Sequence, residues 1–223
     1  MNLKTLEVDL VCEKYGYQWF EHDKMTFHFE KAVAEFFDAP YAVSTDCCTH
    51  ALELCLRELA TPDRVITLPK WNYWSVPMTL EKLGLPYQFA DLEWTGMYQL
   101  DPYPIWDAAV HWERNSYKPG TMMCLSFHHK KSIPVGRGGM ILLDDYDVWH
   151  KLSKLRFDGK DYLAGTHFED IDTLGYHYYM HARDVCRGIL LFDELKDEPW
   201  TPWNWDRYTD LSKFSCFKHV KVL

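Results

Sequence analysis

A chain of 223 residues, 47% hydrophobic and 26% charged, has the composition of an ordinary globular protein of one large domain or two small ones. Its net charge of −9 argues against nucleic-acid binding driven by phosphate neutralisation, and no apolar run reaches the roughly 18 residues of a membrane span. Seven cysteines with no Cys-x-x-Cys spacing give no disulfide framework, and Met1 to Leu10 has no signal-peptide core, so reduced thiols in the cytoplasm are expected.

Residues 1–26 read as a polar, aromatic N-terminal arm with no assigned structure. Phe29, Val33, Phe36 and Phe37 then give helical spacing over Phe27 to Phe37. Tyr41 to Val43 reads as a strand. Ala51, Leu52, Cys55, Leu56 and Leu59 make Thr49 to Leu59 an amphipathic helix. Arg64 to Leu68 is a strand, Ser75 to Leu83 a helix stopped by Gly84, and Tyr87 to Ala90 another strand. Further strands cover Ile105-Trp106, Thr121 to Ser126 and Gly139 to Leu143. Helices follow at Asp147 to Phe157 and Met180 to Leu195. This alternation predicts an α/β fold with a mixed, mostly parallel sheet sandwiched by helices. The large domain is expected over 27–198, with a short Trp-rich tail over 199–223. Aromatics make up 16% of the chain, including ten Trp, so some large rings are expected at an interface or binding site.

Five segments carry chemistry-bearing residues at strand–loop–helix junctions. Cys47-Cys48-Thr49-His50-Ala51-Leu52 opens a helix after a strand, a place suited to an anion. Leu68-Pro69-Lys70-Trp71-Asn72-Tyr73-Trp74-Ser75 follows another strand. Pro104-Ile105-Trp106-Asp107-Ala108-Ala109 puts an aspartate at a strand's end, where α/β sheets hold ligands. Ser126-Phe127-His128-His129-Lys130-Lys131-Ser132 precedes Gly136-Arg137-Gly138-Gly139. Leu174-Gly175-Tyr176-His177-Tyr178-Tyr179-Met180 leads into the last helix. Singly, each has a plainer reading: Thr49 or Asp46 as a helix cap, Asp107 likewise, Tyr73 as a packed ring, and either lysine as a solvated amine.

In this order the five segments resemble the DegT/DnrJ/EryC1/StrS family of pyridoxal-phosphate (PLP) sugar aminotransferases, over about Phe27 to Leu195. The resemblance implies the large-domain fold of the aspartate-aminotransferase type and a homodimer with sites at the interface. It implies Lys131 as the Schiff-base lysine, favoured over Lys130 by the register from Ser126 and the Gly turn. Asp107 would pair with the pyridine nitrogen, and Tyr73 would stack on the ring. Cys48, Thr49 and Ser126 would hold the phosphate, and His177 would reach the phosphate of the partner subunit. The implied activity moves an amino group from an amino acid to a nucleotide-linked keto-sugar. No metal is implied: the His residues, including His128-His129, His111 and His177, show no His-x-x-x-His on a predicted helix and no Glu-bearing zinc motif.

The chain departs from the family's pattern in several places. Cys48 stands where glycine is usual, Val110 stands three residues after Asp107 in place of His or Gln, and Tyr179 replaces an arginine. His111 is the candidate substitute beside Val110. Fifteen residues with two prolines separate Asp91 from Asp107, where the family has a strand and two helices. The family's C-terminal small domain is largely absent, and the tail reads as too short to replace it. The departures motivate a second reading: a reduced homologue that binds PLP or a sugar nucleotide without turnover, or serves as a partner subunit.

Overall fold

The computed structural model describes residues 6–161 and 171–223. Helices α1 (Leu6–Tyr15) and α2 (His22–Phe37) lead into β1 (Tyr41–Thr45). There follow α3 (Cys48–Leu59), β2 (Ile66–Pro69), α4 (Ser75–Leu83), β3 (Tyr87–Ala90), β4 (Tyr98–Gln99), β5 (Ile105–Asp107), β6 (Met122–Ser126) and β7 (Gly139–Leu143). Helices α5 (Tyr146–Arg156) and α6 (Ala182–Leu195) complete the regular elements before three short 3-10 turns. No helix among the described residues is long and apolar enough to cross a membrane.

The main sheet has the order β1-β7-β6-β5-β4, and β2 pairs with β3 beside it. β5 and β6 run parallel, as do β2 and β3, while β7 opposes both its neighbours and β4 opposes β5. An antiparallel bridge from Thr67 to Asp101 joins the two sheets. Followed through that bridge, β1, β2, β3, β5 and β6 share one direction, so the sheet is mixed and mostly parallel as expected.

The inner strands read as unbroken apolar runs because both faces are covered. Met123, Leu125, Met140 and Leu142 join the core under α1, α2 and α6. Their alternates Met122, Cys124, Ile141 and Leu143 join the core under α3, α4 and α5. The two-residue period of a strand thus distributes one apolar sequence between two cores.

Two regions say more than the sequence did. The N-terminal arm contains α1, which buries Val8 and Val11 against α6, and α2 begins five residues before the predicted Phe27. Lys14 and Tyr15 both reach Asp193 of α6. Charged residues dilute the helical spacing of α1, so it is settled by packing instead. The short segment between Asp91 and Asp107 forms β4, a strand antiparallel to β5 that no pattern in the sequence marked.

The tail, expected to be irregular and too short to act as a cover, is packed along the open edge of the site. Phe89 exchanges backbone hydrogen bonds with Lys221 and Leu223 at 2.8 Å each, so residues around Val222 extend the β2–β3 pair. The Leu211 amide donates to the Lys70 carbonyl at 2.9 Å, and Leu211 and Phe217 are buried.

Candidate active site

β1, β2, β5 and β6 all end at one edge of the sheet, and β7 starts there. A cavity of about 220 Å³ opens at that edge. Cys47, Cys48 and Thr49 enter it from the start of α3, Tyr73 and Ser75 from the start of α4, and Asp107 from the end of β5. Ser126 comes from the end of β6, and Lys131 and Arg137 come from the loop between β6 and β7. Six of the seven residues singled out in the sequence therefore meet in one cavity.

Asp107 is almost fully buried, at 6% exposure. The Tyr98 hydroxyl donates to its Oδ2 at 2.6 Å, and the Ala109 amide donates to its Oδ1 at 3.0 Å. Burial raises its pKa above the ordinary carboxylate range, against the opposing pull of these two donors and of Lys131. Lys131 is half-buried, and its pKa is lowered chiefly by burial and further by Lys130, while Asp107 resists the shift. A buried acid faces a desolvated amine, the pairing expected where proton transfer is needed.

The start of α3 has the chemistry of an anion site. No side chain caps the helix, so its first amides remain open to a ligand. The Thr49 hydroxyl is hydrogen-bonded to the Ser75 hydroxyl at 2.8 Å. Arg137 binds the Asp46 carboxylate at 2.7 Å, and His50 lies 2.5 Å from the other Asp46 oxygen. The His50 ring stacks on Tyr178 with centroids 3.7 Å apart. Burial works against its protonation, but hydrogen bonds to Asp46 and Cys47 hold its pKa up at about 9. Gly139 makes this cradle possible: a Cβ there would lie 2.5 Å from backbone atoms of Cys47 and Cys48.

Cys48, at the glycine position of the implied pattern, has its thiol 3.6 Å from the Cys124 carbonyl, and burial pushes its pKa far up. It fills the cavity wall as a neutral group. Tyr73 stands at the mouth, 47% exposed and tilted against Trp74. His177 lies outside the cavity, exposed, with its Nδ1 at 3.1 Å from Asp158. His111 does not take the place expected for it, because its Nε2 is held by Ser116 at 2.9 Å while Val110 lines the cavity.

Sequence reasoning missed Ser75, Tyr98, Arg137 and Tyr208. Ser75 and Arg137 sat inside quoted segments, one as a motif's end and the other as the variable residue of a Gly turn. Tyr98 belongs to the shortened segment and Tyr208 to the tail, where no motif marked them.

A larger cavity of about 690 Å³ between α2 and α5 contains none of the residues that the motifs single out. Among the described residues, Asp46, Cys47 and His50 bring metal-ligand atoms within 4.8 Å of one another. The Arg137 guanidinium on Asp46 opposes a cation there.

The sequence profile of the DegT/DnrJ/EryC1/StrS aminotransferase family matches residues 2–111 and 109–189. The spore coat polysaccharide biosynthesis protein SpsC of Bacillus subtilis (strain 168) is 24% identical over 243 aligned positions, covering 86% of this chain. This chain spans 62% of the length of SpsC. AtS13 from Actinomadura melliaura has the same fold, with a TM-score of 0.72 at 17% identity over 96% of this chain and 85% of that one. A DegT DnrJ EryC1 StrS aminotransferase from Brucella abortus gives 0.72 at 15% identity, over 97% and 83%.

Proposed function

The chain belongs to the DegT/DnrJ/EryC1/StrS aminotransferase family, and from that premise we propose that it is a PLP-dependent enzyme moving an amino group from an amino acid to a nucleotide-linked keto-sugar. The observation that carries the reading is the convergence of Lys131, Asp107 and the uncapped start of α3 on one cavity.

The residues present fit the cofactor. A buried acid, an open helix N-terminus with two hydroxyls and a desolvated amine all line the cavity. PLP, when bound, supplies an electron sink for the substrate carbon. The protein supplies the rest. The start of α3, with Thr49, Ser126 and Arg137, would bind the phosphate. Asp107, its orientation fixed by Tyr98 and the Ala109 amide, would keep the pyridine nitrogen protonated. Lys131 Nζ would hold the cofactor and move the proton at the substrate carbon, a task helped by its lowered pKa. The donor would leave as a keto acid, and the keto-sugar would receive its amino group.

The reading includes a cytoplasmic homodimer. His177, exposed and outside its own cavity, is then the residue offered to the partner's phosphate site. Tyr73 and Trp74, both about half exposed at the cavity mouth, are rings such a contact would cover.

The test is the half-reaction. Purified protein loaded with PLP and mixed with glutamate is expected to convert to the pyridoxamine form, read by its absorption. Stable PLP loading with no conversion by any amino donor would leave a binding protein in place of an aminotransferase.

A further inference from the structure

A second cavity, of about 320 Å³, adjoins the first and shares Lys131, Ser126, Ala109 and Val110 with it. Its outer wall comes from the tail, through Trp200 and Trp203. We propose that this cavity is the acceptor subsite and takes the hexose ring of the sugar, with the indole of Trp203 as its stacking face. The inference rests on the reading of Lys131 given above and names the substrate contacts of that same site.

Position is the first argument. Lys131 Nζ lies 5.0 Å from the centroid of the Trp203 ring. A substrate carbon that reacts beside Lys131 therefore has Trp203 as a neighbour.

Rigidity is the second. The Trp203 carbonyl accepts the Gly96 amide at 2.8 Å, and Trp200 Nε1 donates to the Val110 carbonyl at 3.1 Å. Trp200 packs so closely on Gly96, at φ +72°, that a Cβ there would lie 3.2 Å from its ring. The Trp205 amide donates to the Trp94 carbonyl at 3.1 Å, so the tail backbone is held to the body on both sides of Trp203.

Chemistry is the third. A pyranose has a face of polarised C–H groups and a rim of hydroxyls. The electron-rich face of an indole suits the first. Glu198, Ser132 and Thr201 line the same cavity and suit the second. The Glu198 carboxylate accepts hydrogen bonds from sugar hydroxyls, and Lys130 in the same wall can donate to them. The volume also exceeds what a small amino acid would fill.

The test uses the full chain loaded with PLP, titrated by calorimetry with UDP-glucose and with dTDP-glucose as non-reacting probes. Saturable binding of at least one is expected. Trp203→Ala should weaken it about tenfold and Trp203→Phe by about threefold or less, since a ring remains. PLP uptake, followed by absorption, should be unchanged in both variants. Wild-type affinity for the sugar probe in Trp203→Ala would overturn the inference and leave the role of Lys131 standing. Loss of PLP uptake in both variants would also overturn it, by placing Trp203 in the cofactor's own cavity. Binding of neither probe by the PLP-loaded wild type would overturn the assignment to a hexose. Failure of the wild type to take up PLP would remove the underlying reading, a result distinct from the other three.

Discussion

Arg137 stands where a family-pattern reading sees only the variable residue of a Gly turn, yet it brings a guanidinium into the cavity that holds Lys131 and Asp107. Tyr179 has lost the charge that the family's arginine would bring, so Arg137 is the cation that this chain offers from its own loop. Charge-assisted contacts to phosphate are strong, and Arg137→Ala is expected to weaken PLP binding about tenfold. Affinity for pyridoxal, which lacks the phosphate, should stay the same, and equal losses for both ligands would exclude the phosphate role. Asp46 ties Arg137 to His50, whose pKa is raised from 6.5 to about 9 in the fold. Because the folded value is the higher one, protonation stabilises the fold. The contribution is complete below pH 6.5 and is lost as pH rises through about 9. Its size is on the order of 1–3 kcal/mol. Thermal unfolding across this window should show a decline in the wild type that His50→Gln flattens, and parallel declines would contradict the pairing. That Lys131, Asp107 and Thr49 share one cavity was legible in the sequence because the segments that hold them resemble, in order, those of the family. Tyr98 and Tyr208 were not, because they reach the cavity through tertiary packing and no local pattern marks their role.

At the scale of elements, the cradle depends on how closely β7 approaches the start of α3. Gly139 sits at that contact, and what a side chain would meet is backbone, at 2.5 Å from both Cys47 and Cys48. Backbone cannot swing aside as a flexible side chain can. Gly139→Ala is therefore expected to cost about 1–3 kcal/mol of stability. It should also weaken PLP binding, because the helix end must shift. Denaturant unfolding alongside a PLP titration measures both, and a variant with wild-type values for each would refute the contact. β6 and β7 were legible because burial on both faces writes an unbroken apolar run into the sequence. α2 was legible in its body but not in its first turn, where His22 to Thr26 carries mostly polar residues ahead of the regular spacing. β4 has only two paired residues, too few to leave a period, and its place is set by its pairing with β5.

On the scale of the whole molecule, the tail changes the account that the sequence supports. The residues after α6 pair with β3 at Phe89 and bond to Lys70 just beyond β2. They bring Tyr208 to the cavity that holds Asp107, and Trp203 next to Lys131. A Trp-rich stretch without period gave no sign of this, since its contacts lie with residues about a hundred positions away, such as Gly96 and Val110. The fold class was legible from the alternation of strands and helices, and the cavity from four of the five short segments, but the tail's part in its wall was not. The account stands or falls on whether Lys131 carries the cofactor. The direct measurement is the visible spectrum of the protein with added PLP, followed by borohydride reduction and peptide mapping of wild type and Lys131→Ala. The account predicts a yellow protein whose reduced adduct maps to Lys131, with no trapped adduct in the variant. An adduct on Lys130, or one that persists in Lys131→Ala, would contradict it.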